Sequence, residues 1–96
     1  AAEPADGWSG VRDATKHGNS CVFFCMVQQK MMGDEDCLFI NVYTPTIEFA
    51  ARKATMVFFH PGGFNAGSGD DDLFGPDFIV EKDVILITVN FRLGAV

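Results

Sequence analysis

Five residues, His60-Pro61-Gly62-Gly63-Phe64, stand between an apolar run, Thr55-Met56-Val57-Phe58-Phe59, and a glycine-rich stretch, Asn65-Ala66-Gly67-Ser68-Gly69. This order reads as a buried strand ending in a tight loop whose backbone is laid open. Acyl-transfer chemistry uses such a loop to aim N–H groups at the oxygen that becomes an anion in the transition state. Donors of this kind stand about 2.7–3.1 Å from the charged oxygen, and a side chain at those residues would block the approach. Gly62 and Gly63 are therefore the expected donors, whereas Pro61 has no N–H to give. Taken alone, a Gly-Gly turn with no chemistry accounts for the same residues.

Other reactive side chains fit a catalytic role less well. Ser68 lies between Gly67 and Gly69, but without the G-x-S-x-G spacing that builds a nucleophile elbow. The run Asp70-Asp71-Asp72 lacks the alternation of ligands and spacers that a calcium loop needs, and is expected to be a solvated loop. Cys21, Cys25 and Cys37 invite a disulfide, with the pairing open at this level. The Cys21-x-x-x-Cys25 spacing is not C-x-x-C, which argues against redox or zinc chemistry. A phosphate loop over residues 62–69 fails on spacing, since neither G-x-x-x-x-G-K-[ST] nor G-x-G-x-x-G occurs. No cofactor and no metal is expected. His17 sits in a polar connection and is expected to be exposed.

Four ordered motifs point further. Glu35-Asp36-Cys37-Leu38-Phe39-Ile40-Asn41-Val42-Tyr43-Thr44-Pro45 resembles the E-D-C-L-x-L-N-V-Y-x-P signature of the type-B carboxylesterases, the family that includes cholinesterases and insect esterases. Trp8-Ser9-Gly10-Val11-Arg12-Asp13-Ala14-Thr15 is similar to that family's W-x-G-V-R-D-A-T, and Val89-Asn90-Phe91-Arg92-Leu93-Gly94 to its N-Y-R-L-G. Gly67 to Phe78 looks like the segment after the family's oxyanion loop, and the detail around residues 65–94 most resembles insect α-esterases and juvenile-hormone-esterase-like enzymes.

The resemblance implies an α/β-hydrolase fold in which the strand at 54–59 carries the oxyanion loop at its C-terminal end. It implies a serine carboxylesterase that hydrolyses small-molecule carboxylic esters through an acyl-enzyme, this segment supplying the oxyanion hole. The alternative is a non-catalytic, cholinesterase-like adhesion or binding protein. The Gly62-Gly63 pair favours the enzyme, and Pro61 slightly weakens that preference. The family's triad follows the chain order Ser, Asp or Glu, His, and none of the three falls in this span, so the chain alone is expected to be inactive.

Further expectations follow from the same resemblance. Cys37 is expected to pair with Cys21, with Cys25 as the alternative partner. Closing a loop of about 15 residues would stabilise the fold by roughly 3 kcal/mol in the chain-entropy model. A bridge would place the protein in the secretory pathway or outside the cell, and three reduced thiols in the cytoplasm is the other reading. His60 is expected to hold the loop through its backbone and ring rather than act as a base. Phe64, and with it Phe74, is a candidate to line the acyl or entry side of the gorge, with core packing as the equal alternative for any of the ten phenylalanines. Glu35 and Arg92 are expected to form structural ion pairs with partners outside the segment.

The elements that must position these residues can be read coarsely. Leu38 to Tyr43 suits a strand stopped by Pro45. Ala54 to Phe59 and Val84 to Val89 are continuous apolar runs, expected as strands buried on both faces. Gly75-Pro76-Asp77 can start a short helix through Lys82, giving a strand–helix–strand crossover, and residues 46–53 read as an exposed connection. The chain has 96 residues, 48% of them apolar, enough for one small domain. A parallel-type sheet, however, needs helices on both faces, and too few helical segments are present. Residues 1–96 are thus expected to be an internal fragment of a single, larger α/β-hydrolase domain. A net charge of −6 with seven scattered Lys and Arg argues against a nucleic-acid surface. No apolar stretch of about 18 residues is available to span a membrane. Oligomeric state is not legible.

Overall fold

The computed structural model describes residues 1–48 and 50–95. Its elements run β1 (Phe23–Cys25), β2 (Lys30–Met32), β3 (Ile40–Tyr43), β4 (Thr55–Phe59), α1 (Asp71–Phe74), α2 (Asp77–Val80) and β5 (Ile85–Val89). The larger sheet has the order β3-β5-β4. Strand β5 reads Ile-Leu-Ile-Thr-Val, and its β-branched side chains suit a pleated, two-sided surface. It occupies the centre, parallel to β4 with Val57 beside Ile87 and Phe59 beside Val89, and antiparallel to β3 with Ile40 opposite Val89 and Val42 opposite Ile87.

Strand β3 starts at Ile40 rather than at Leu38: the Phe39 N–H turns back to the Cys37 carbonyl at 2.8 Å, while the Phe39 carbonyl still accepts from the Asn90 N–H at 3.0 Å. The acidic run is corrected as well. Asp71–Phe74 forms one helical turn, not a loop, with Asp71 and Asp72 in its first turn, where carboxylates complement the unpaired N–H groups. Helix α2 follows Pro76 and ends by Asp83, whose φ of 63° stops further winding. Asp83 is ion-paired with Lys53, which ties the crossover to the connection between β3 and β4. That expected connection, 46–53, holds no strand or helix among its described residues, and Phe49 lies outside them. A second, two-stranded sheet was not foreseen: β1 and β2 form an antiparallel hairpin with Phe24 opposite Met31.

The two faces of the main sheet differ. Asn41, Tyr43, Leu86, Thr88 and Phe58 point towards the loop and helices of residues 62–83. There Leu86 and Thr88 are buried, Phe58 packs on Phe74 with ring centroids 5.1 Å apart, and α2 contacts β5. The other face carries Ile40, Val42, Val57 and Phe59, and is open, with Ile40 63% and Phe59 67% exposed. The apolar runs of β4 and β5 are thus covered on one face only among the described residues, where burial on both was expected. The radius of gyration, 15.0 Å, exceeds the roughly 13 Å of a compact chain of about 100 residues. No helix of the described residues is long and apolar enough to cross a membrane.

Candidate functional site

Strand β4 delivers its chain directly into the loop. His60, the next residue, is only 5% exposed, and its ring lies flat on Phe91, centroids 4.3 Å apart and planes 8° apart. His60 Nδ1 is 3.0 Å from the Pro61 carbonyl oxygen. A carbonyl only accepts, so Nδ1 carries the proton. A Cβ on Gly67 would stand 2.5 Å from that nitrogen, so the glycine lets the returning chain close against the ring. The buried ring, engaged on one face and at Nδ1, holds the loop by contact.

Beyond Pro61 the chain turns sharply. Gly63 and Phe64 have φ of 59° and 60°, and the Asn65 and Ala66 N–H groups donate to the Gly62 carbonyl at 3.0 and 3.2 Å. Two successive left-handed residues closed by this bond are the pattern of a type I′ turn. Glycine takes that conformation freely, whereas Phe64 does so at a cost of about 1–2 kcal/mol. The Phe64 carbonyl is held by the Gly94 N–H at 2.6 Å, and Asn65 Nδ2 donates to the Gly63 carbonyl at 3.0 Å. Gly62 adopts φ of 140°, and a Cβ there would run into the Ala66 carbonyl oxygen. At Gly63 a Cβ would meet nothing within 4 Å. Among the described residues the N–H groups of Gly62 and Gly63 donate to no protein acceptor. Two unpaired amides are therefore presented on a turn with open space beside it.

The far end of the loop is pinned to the sheet. Gly69 is buried; its N–H donates to Asn90 Oδ1 at 2.8 Å, and its carbonyl accepts from Thr88 Oγ1 at 2.6 Å and Asn41 Nδ2 at 3.0 Å. Asn90 Nδ2 reaches on to the Asn19 carbonyl at 3.0 Å. Asn41, Thr88, Asn90 and Phe91, which contact the loop, are residues that sequence reasoning did not single out. A polar residue in the middle of each apolar strand, Asn41 in β3 and Thr88 in β5, was the available signal. Phe64 is 75% exposed at the apex of the turn, and its ring centroid lies 6.2 Å from that of Phe91. Phe74 instead packs against Phe58 beneath the crossover, apart from Phe64.

The structure joins Cys21 to Cys37, with Cα atoms 4.8 Å apart and both residues buried, and leaves Cys25 free on β1. The bridge closes the base of the β1–β2 hairpin, where the Asp34 N–H also donates to the Ser20 carbonyl at 2.9 Å. Glu35 and Arg92 border one shallow hollow with Cys21 and Cys37, and among the described residues no ion pair joins them to each other. His17 is exposed yet engaged: Nε2 and the Tyr43 hydroxyl are hydrogen-bonded at 2.8 Å, and Nδ1 lies 3.6 Å from Asp71 Oδ1. Burial first, then the charges of Asp71 and Asp70, push the Tyr43 phenol above its ordinary range. No group of three His, Cys, Asp or Glu among the described residues is placed to hold a metal ion.

A loop with two unpaired amides thus leaves the C-terminal end of β4, in a sheet of order β3-β5-β4. Residues 1–96 match the carboxylesterase family throughout, and the chain belongs to that family. It is 45% identical over 98 residues to juvenile hormone esterase of Tribolium castaneum, a match covering 98% of this chain and 16% of that protein. Esterase B1 of Culex pipiens is 37% identical over 95 residues, covering 99% of this chain and 18% of the relative. The crystal structure of juvenile hormone esterase from Manduca sexta, with OTFP covalently attached, superposes with a TM-score of 0.79 at 37% identity, over 96% of this chain and 18% of that one. The chain thus shares the fold of the matched region and spans less than a fifth of these relatives.

Proposed function

We propose that residues 1–96 form part of a single α/β-hydrolase domain of a serine carboxylesterase, and that this segment supplies its oxyanion hole. The observation that carries the reading is the pair of unpaired N–H groups at Gly62 and Gly63, on a turn that a side chain at Gly62 would break. In the mechanism a serine outside this segment attacks the ester carbonyl. The oxygen gains charge as the tetrahedral intermediate forms, and the Gly62 and Gly63 amides stabilise it. The alcohol then leaves, and water releases the acid from the acyl-enzyme. The esterase names of the relatives support a carboxylic ester as substrate. The disulfide supports an oxidising compartment, the secretory pathway or outside the cell.

The test is Gly63→Ala in the intact hydrolase. Its methyl enters open space, so folding survives while the amide is screened from substrate. The expected result is a kcat lowered by about 100- to 1,000-fold with KM little changed, because the contact forms mainly in the transition state. An unchanged kcat removes the oxyanion assignment. The 96-residue chain by itself is expected to turn over no short-chain nitrophenyl ester.

A further inference from the structure

The oxyanion loop has a brace that lies outside it in sequence. Residues Phe91 to Gly94 leave the end of β5, and because β5 runs beside β4 with Phe59 next to Val89, they emerge alongside the loop that leaves β4. They touch it at two places. Phe91 stacks face to face on His60, 4.3 Å away, and His60 Nδ1 holds the Pro61 carbonyl. Gly94, itself at φ of 86°, gives its N–H to the Phe64 carbonyl at 2.6 Å. Gly62 and Gly63 lie between those two anchors. Phe64 also holds a left-handed conformation that a phenylalanine leaves readily unless its neighbours fix it.

We propose that Phe91 and Gly94 are positioning residues for the oxyanion donors, Phe91 setting the loop's entry through His60 and Gly94 setting its exit through Phe64. The inference rests on the oxyanion reading above and goes beyond it by assigning the geometry of the donors to a segment about 30 positions further along the chain. Neither residue offers a group for chemistry. Their effect is on where the two amides point, and a donor displaced by about 1 Å loses up to about 100-fold in rate. A side chain that merely filled space at Phe91 would affect stability and leave the rate per folded molecule alone.

The experiment is Phe91→Leu in the intact hydrolase, with kcat referred to active sites counted by titration. Leucine keeps apolar bulk and removes the flat ring. The expected result is a kcat about 10- to 100-fold lower with KM within about twofold. A trifluoromethyl ketone, which the serine converts to an oxyanion-bearing adduct, should lose affinity by the same factor. Phe91→Tyr, which keeps the stack, restores the rate. Should the leucine variant fail to fold, Gly94→Ala perturbs the other anchor: its Cβ meets no atom within 4 Å, but alanine resists the φ of 86° that aims the Gly94 N–H at the Phe64 carbonyl. Unchanged kcat in a folded Phe91→Leu or Gly94→Ala enzyme, with only the melting temperature lowered, overturns the brace. If Gly63→Ala is impaired and these variants are not, the brace alone fails; if all three retain full kcat, the oxyanion reading fails with it.

Discussion

The hydroxyl of Thr88 donates to the carbonyl of Gly69 across 2.6 Å, and Thr88 is wholly buried. This single bond fixes the end of the glycine-rich loop to the middle of the central strand, and Asn41 Nδ2 reinforces it by donating both to the same carbonyl and to Thr88 Oγ1 at 3.1 Å. Replacing Thr88 by valine keeps the shape and removes the donor. The expected loss is about 1–2 kcal/mol of stability, read from urea unfolding midpoints, while Thr88→Ser, which keeps the hydroxyl, loses less. A Thr88→Val variant as stable as the wild type would show that the bond contributes nothing.

The two loop glycines should respond differently to a methyl group. Gly62→Ala drives Cβ into a backbone oxygen, so little folded protein is expected. Gly63→Ala meets no atom and bears only the strain of φ at 59°, about 1–2 kcal/mol. Yields of folded protein and melting temperatures of the two variants separate these cases.

A non-reducing peptide map should recover Cys21 linked to Cys37, with Cys25 alkylated as a free thiol. Replacing both bridged cysteines by serine is expected to cost about 2–5 kcal/mol, and Cys25→Ser far less. A peptide linking Cys25 to Cys37 would contradict the structure.

Tyr43 predicts an alkaline dependence of stability. Its phenol is pushed above the ordinary range, by burial first and by Asp71 and Asp70 next. Below about pH 10 it is neutral both folded and unfolded. As pH rises through the unfolded value and towards the folded one, only the unfolded chain ionises, so stability is lost in that window. Measured against Tyr43→Phe, which has no such proton, the wild type should weaken progressively above about pH 10. A constant difference between the two proteins across that range would contradict the assigned environment.

Much of this arrangement could be read from residue types, and the gaps have physical causes. The apolar runs at β4 and β5, the need for small residues at 62 and 63, and a helix beginning at Pro76 follow from local chemistry. The left-handed turn at Phe64 does not, because nothing in a phenylalanine favours it; the Gly94 contact, distant in sequence, holds it. The β1–β2 hairpin consists of three-residue strands inside a disulfide-closed loop, too short for alternation to show. Asp71 and Asp72 read as a loop because aspartate is a poor helix former in mid-helix, yet it suits a first turn. How far β4 is buried could not be judged from its own composition, since cover comes from whatever packs on it.

The strand order also sets a timetable. Asn41 and Thr88 are bonded although 47 positions apart, and β5, made after both β3 and β4, lies between them. During synthesis, at about 5–20 residues per second, β3 waits roughly 2–10 s for its partner. Over the same interval the Cys21–Cys37 loop, closing over only 16 positions, already has all its residues. The hairpin can therefore knit at once, whereas β3 and β4 stay unjoined until β5 is made, a slow, non-local event that leaves both as unpaired edges in the nascent chain.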